Sequence, residues 1–199
     1  VDWRELILGD QSSLILDKYH PYEDLPKMIN PTSGYIFNTN NSPFNSTAEF
    51  ENLQEEDYNS TFSFMEEENN RSIRFMELID EYEKLSYENF KEIKYDQQYP
   101  DSILYIGNIS QIFDLDKSEF PNYENLIDLI QNWDRRGDIE NIGAAQWSLY
   151  YSYMLDVLSE NDLNVKDTID IKFHLDALEK TKARLMNNFG KLDIRLGDI

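Results

Sequence analysis

The sequence predicts a predominantly helical α+β fold, with a few short N-terminal strands followed by a helical layer. All six prolines lie at or before Pro121, four of them within the first 43 residues, which breaks the early chain into turns and extended pieces. From Arg71 onward apolar residues recur at spacings of three and four, the period of a helix face. With 199 residues, 40% of them hydrophobic, the chain is long enough to bury a core, and thirteen Tyr and eleven Phe supply much of it.

Three segments follow in order. Residues 1–45 read as strand and loop, with Ser13–Tyr19 and Gly34–Asn38 as the expected strands. Residues 46–70 read as an acidic connector carrying Glu55-Glu56-Asp57 and Glu66-Glu67-Glu68, a solvated loop, and no Lys or Arg occurs between Lys27 and Arg71. Residues 71–199 read as helical. There Ile73, Met76, Ile79 and Tyr82 share one face. A second helix is expected after Ser86 and a third after Asp101, where a short polar side chain caps free amides. A fourth, marked by Leu126, Ile130 and Trp133, begins just after Pro121. Trp147, Tyr150, Tyr151, Met154, Val157 and Leu158 form the clearest apolar stripe. A last helix over Leu175–Asn188 stops at Gly190, a residue suited to a left-handed C-terminus.

The net charge of −21 disfavours nucleic acid and anionic membrane surfaces as partners, since each requires a cationic face. The absence of Cys excludes disulfides, thiolate nucleophiles and zinc–thiolate sites. No apolar run approaches the roughly 20 residues of a membrane span. Among the seven glycines there is no phosphate loop, dinucleotide fingerprint or Gly-x-Ser-x-Gly elbow. His20 and His174, the only histidines, read as structural or surface residues.

The stretch richest in chemistry is Asn30-Pro31-Thr32-Ser33-Gly34-Tyr35-Ile36-Phe37-Asn38-Thr39-Asn40-Asn41-Ser42-Pro43. It reads as a turn, a short strand of β-formers and an Asn-rich turn. Asn at a strand end has two uses: it holds an unusual backbone conformation, or it aims a neutral amide donor into a cleft. A neutral donor suits an oxyanion hole, because it stabilises developing charge without acting as an acid or base.

This stretch resembles the motif of the penicillin amidase family, the penicillin, cephalosporin and acyl-homoserine-lactone acylases. The motif runs Asn-Pro, small residues, Gly, an aromatic-aliphatic strand, Asn-x-Asn-Asn and then Pro. Tyr19-His20-Pro21 with Asp24-Leu25-Pro26 is similar to the acyl-homoserine-lactone and aculeacin acylase branch. Arg71, followed by Ile73, Leu78 and Ile79, resembles the family's arginine at a helix start. Leu85-Ser86-Tyr87-Glu88-Asn89-Phe90 and Phe189-Gly190-Lys191-Leu192-Asp193 resemble later family segments.

The resemblance implies part of the β-chain of an N-terminal nucleophile hydrolase with αββα layers. Asn40 matches the residue whose side-chain amide completes the oxyanion hole. Arg71, with Arg74 one turn later as the alternative, matches the arginine that orients the network around it. In this family the nucleophile is an N-terminal Ser whose own α-amine is the general base. Val1 is not such a residue, so the chain is expected to be an internal stretch, inactive alone, that relies on the remainder of the acylase as partner. The implied substrate is a small acylated amide. No cofactor is required, a structural calcium is a feature of many members, and a periplasmic or secreted location is implied. The competing expectation is a stand-alone helical interaction module without catalytic activity.

Overall fold

The computed structural model describes residues 5–15, 18–64, 68–105, 107–161, 163 and 168–199. The chain packs as two compact units, residues 1–81 and 82–199.

The first unit is built from turns around one helix. Single 3-10 turns occur at Ser12–Leu14, Tyr22–Asp24, Glu49–Glu51, Glu55–Asp57 and Ser60–Phe62, and helix α1 spans Asn70–Ile79. The expected strands are not formed among the described residues. At Ser12–Leu14 the backbone closes on itself, with the Leu14 N–H donating to Gln11 (3.0 Å) and the Ile15 N–H to Ser12 (3.2 Å). Leu16 and Asp17 of that expected strand lie outside the described residues. Gly34 sits at a bend with φ 83°, and residues 35–38 make one ladder-type bond, from the Phe37 N–H to the Ser46 carbonyl (2.9 Å). The Tyr35 carbonyl accepts instead from the Thr47 hydroxyl (2.8 Å), so a side chain takes the place a neighbouring strand would fill.

The connector is packed as well as acidic. Thr47 is fully buried, and the Asn52 carboxamide oxygen accepts from the amides of Ser46 (3.0 Å) and Thr47 (3.1 Å). Phe44 meets Tyr58 and Phe64, and Phe62 lies edge-on to His20 at 4.6 Å. Glu51 receives the amides of Thr32 (2.7 Å) and Ser33 (2.8 Å). Desolvation pushes the Glu51 carboxyl upward, but the Ser33 and Thr32 bonds outweigh it and hold it at about 2. Glu66 and Glu67 lie outside the described residues.

The second unit is helical, with α2 at Tyr87–Lys94, α3 at Glu124–Gln131, α4 at Ala144–Glu160 and α5 at Ile171–Phe189. Ser86 caps α2 with a reciprocal bond pair to Asn89, as its place in the sequence predicts. Among the described residues no α-helix begins directly after Asp101. A 3-10 run at Gly107–Asp114 begins later and is kinked at Asn108, because Gly-Asn interrupts the apolar period. The α4 stripe is the core: Trp147, Tyr150, Met154, Val157 and Leu158 are buried and pack with Ala177, Leu178 and Leu185 of α5. Trp133, just past α3, stacks on Trp147 at 5.8 Å. Gly190 ends α5 at φ 69°.

Gly143 starts α4 at φ 100°, and a Cβ there would stand 2.9 Å from that of Trp133, so both conformation and space require glycine. The buried Gln146 accepts from the Gly143 N–H (2.6 Å) and donates to the Ile194 carbonyl (3.2 Å), anchoring the chain that follows α5. Two isolated antiparallel bridges, Gln98 with Arg136 and Ile142 with Arg195, are the only β pairing among the described residues. No helix among them is long and apolar enough to cross a membrane.

Candidate active site

The Asn-rich turn and the start of α1 meet within the first unit. Asn40 is exposed and left-handed, φ 63°, a conformation Asn tolerates better than most side chains. Local bonds hold it there. The Asn40 N–H donates to Asn38 Oδ1 (2.8 Å), and Asn41 Oδ1 accepts from the N–H (2.7 Å) and hydroxyl (2.9 Å) of Thr39. Asn41 in turn donates its amide to the Asn45 carbonyl. Every Asn of the turn is therefore occupied in shaping backbone, except for the side chain of Asn40.

That side chain meets Arg71, whose Nη2 donates to Asn40 Oδ1 at 2.9 Å. A guanidinium has only donors, so the Asn40 oxygen is the end that faces it. Among the described residues no partner is found for the Asn40 Nδ2, which keeps two N–H groups to give. The arginine charge draws electron density from the amide and strengthens those donors. Of the two uses open to Asn at a strand end, the unusual backbone is the one observed at Asn40.

Helix α1 delivers Arg71. Asn69 caps it, accepting at Oδ1 from the amides of Arg71 (3.0 Å) and Ser72 (3.1 Å), while the Ser72 hydroxyl accepts from the Asn69 N–H (3.1 Å). Phe75 stacks on Phe37 at 4.5 Å and lies edge-on to Tyr35 at 6.1 Å, which ties the helix to the extended piece leading into the turn. Arg74, the alternative to Arg71, pairs with Glu77 at 3.0 Å. Beside the turn lies a cleft of about 310 Å³ whose walls include Met28, Ile36, Leu53, Asn38 and Asn41.

The histidines sit elsewhere. His20 is exposed against Phe62. His174 is buried in α5, where Nδ1 is 2.5 Å from the Tyr150 hydroxyl and Nε2 is 3.4 Å from Gln111 Oε1. Burial drives its pKa down to about 4 and pushes that of Tyr150 up. No group of three or more His, Asp and Glu that could hold a metal ion occurs among the described residues.

Sequence reasoning missed Asn69 and Glu68. The latter accepts from Ser72 Oγ (2.5 Å) and from the Asn45 side chain. Asn69 with Ser72 is a helix-start signal, but it sits at the end of an Asn- and Glu-rich stretch that hides it.

The family model described as Penicillin amidase matches residues 2–192.

Proposed function

The chain belongs to the penicillin amidase family of hydrolases, and on that premise we propose that it supplies the oxyanion side of an amidohydrolase that cleaves the linear amide of acylated amines. N-acyl-homoserine lactones or the acyl side chains of β-lactams are the substrate class. Asn40 is the neutral oxyanion donor and Arg71 the residue that orients it. The observation that supports this reading is the Arg71–Asn40 hydrogen bond, which holds the Asn40 oxygen and leaves its amide nitrogen without a partner among the described residues.

The chemistry runs in two halves. A nucleophilic hydroxyl adds to the amide carbonyl and passes its proton to an α-amine, which hands it to the departing amine nitrogen. As the C=O bond opens, negative charge gathers on oxygen, and the Asn40 Nδ2–H bonds to it more strongly than to the starting carbonyl. The C–N bond breaks, the amine leaves, and water repeats the addition on the acyl-enzyme to release the acid. On this reading the attacking hydroxyl and the α-amine belong to the remainder of the acylase, and these residues contribute Asn40 and Arg71.

The remainder of the acylase is the proposed partner, completing the αββα layers. Leu6, Tyr19, Ile29 and Phe50, all more than 70% exposed, support such a covering surface. The chemistry uses no cofactor. A structural calcium would draw ligands from beyond the described carboxylates, and export to the periplasm is part of the same reading.

The test is amide hydrolysis by the complete protein carrying this sequence, assayed on an N-acyl-homoserine lactone and on a penicillin. Release of the free acid from either supports the reading. Inertness toward both and toward other acylated amines returns the protein to the class of non-catalytic interaction modules.

A further inference from the structure

We propose that Asn69 is the positioning residue of the Asn40–Arg71 pair, one side chain that fixes the backbone carrying each of them. The proposal rests on the reading of Asn40 as the oxyanion donor. The Asn69 carboxamide works in two directions. Its oxygen accepts from the amides of Arg71 (3.0 Å) and Ser72 (3.1 Å), which sets where α1 begins and where the arginine stem departs. Its nitrogen donates to the Thr39 carbonyl (3.2 Å), and that carbonyl belongs to the peptide unit that also carries the N–H of Asn40. The left-handed Asn40 is thus tied to the helix start through one planar group.

The tie is reinforced from the side. Glu68 accepts from Ser72 Oγ at one oxygen (2.5 Å) and from the Asn45 side chain at the other. Asn45 offers its carbonyl to Asn41, at the far edge of the same turn. The reach from Arg71 to Asn40 spans a single 2.9 Å bond, and a shift of about 1 Å in either backbone is enough to lose about 10²-fold in rate.

The two jobs of Asn69 separate chemically. Asp caps a helix as well as Asn does, since its oxygen still accepts from the amides, and its charge suits a helix N-terminus. It has no N–H to give to Thr39 and repels that carbonyl. Ser is a second capping residue without the amide donor. Asn69→Asp and Asn69→Ser therefore keep α1 and release the turn.

The experiment uses the complete protein and an N-acyl-homoserine lactone, with four variants: Asn69→Asp, Asn69→Ser, Asn40→Ala and Asn40→Ala combined with Asn69→Asp. The expected result for the two Asn69 variants is a kcat about 10- to 100-fold lower with KM changed less than about threefold. Helix content is expected to stay unchanged. In the Asn40→Ala background the Asn69→Asp change is expected to lower kcat less than about twofold, because it acts through Asn40. Wild-type kcat in both Asn69 variants overturns the proposal, as does an equal loss in the Asn40→Ala background. Loss of α1 in both makes Asn69 a folding residue and also overturns it. Should Asn40→Ala itself keep full kcat, the oxyanion reading falls first, whatever Asn69 does.

Discussion

At the scale of single residues, the division of labour among four asparagines decides the site. Asn41 and Asn69 spend both ends of their carboxamides on neighbouring groups, Asn38 gives its oxygen to the Asn40 N–H, and Arg71 holds the oxygen of Asn40. Arg71 and Arg74 are the same residue type one turn apart, yet they meet different partners, Asn40 and Glu77. Arg71→Ala is expected to lower kcat by about 10- to 100-fold, since the donor loses both its polarising charge and its fixed orientation. Arg74→Ala is expected to stay within about threefold, as it removes an i,i+3 ion pair with Glu77 and leaves the Arg71–Asn40 bond in place. Steady-state kinetics on the two variants side by side checks both. The sequence marks Asn40 by its motif and Arg71 by a helix start, and the structure joins the two by one hydrogen bond. Asn69 was not legible in the sequence, because its second bond runs 30 residues back to Thr39, and no local pattern announces a long-range side-chain tie.

At the scale of elements, helices were legible wherever apolar spacing and a cap agreed. Ser86 before α2, the Trp147–Leu158 stripe of α4 and Gly190 after α5 fall where local chemistry predicts them. Extended pieces were not. Tyr35 and Phe37 have the side chains of a strand, but their backbone finds a hydroxyl and a single carbonyl partner, a pairing no propensity can foresee. The kinked 3-10 run at Gly107–Asp114 is the helical counterpart of that miss. Gly143 is the element-scale position most open to test. Gly143→Ala forces a side chain into φ 100° and drives its Cβ to 2.9 Å from that of Trp133. The expected loss is about 2–5 kcal/mol, the sum of backbone strain and overpacking, read as a lower denaturation midpoint for the second unit.

At the scale of the whole molecule, composition and fold act through charge. Thirty-nine acidic residues against eighteen basic ones give −21, and most of that charge is on the surface. His174 in the second unit and Glu51 in the first are groups whose protonation opposes folding. His174 is lowered from 6.5 to about 4 by burial, with Tyr150 and Gln111 as its polar neighbours. Between those values the unfolded chain binds the proton and the folded one does not, so stability falls as pH drops from about 6.5 to about 4. One proton gives a slope of about 1.4 kcal/mol per pH unit there. Glu51, held at about 2 against an ordinary 4.5, contributes stability above 4.5 that is lost as pH falls toward 2. Relief of the −21 self-repulsion acts in the opposite sense over the lower window, as surface carboxylates are neutralised. Hydrogen exchange against pH is expected to show α5 loosening first, and the Thr32 and Ser33 amides only below about 4.5. His174→Gln is expected to flatten the first window and leave the second.

The most direct measurement is the kcat of Asn40→Ala against wild type in the complete protein, with an N-acyl-homoserine lactone as substrate. The account predicts a loss of about 10²- to 10³-fold, the value of one oxyanion donor at about 3 kcal/mol, with KM little changed. A kcat within about threefold of wild type, in a variant that retains its fold, would contradict it.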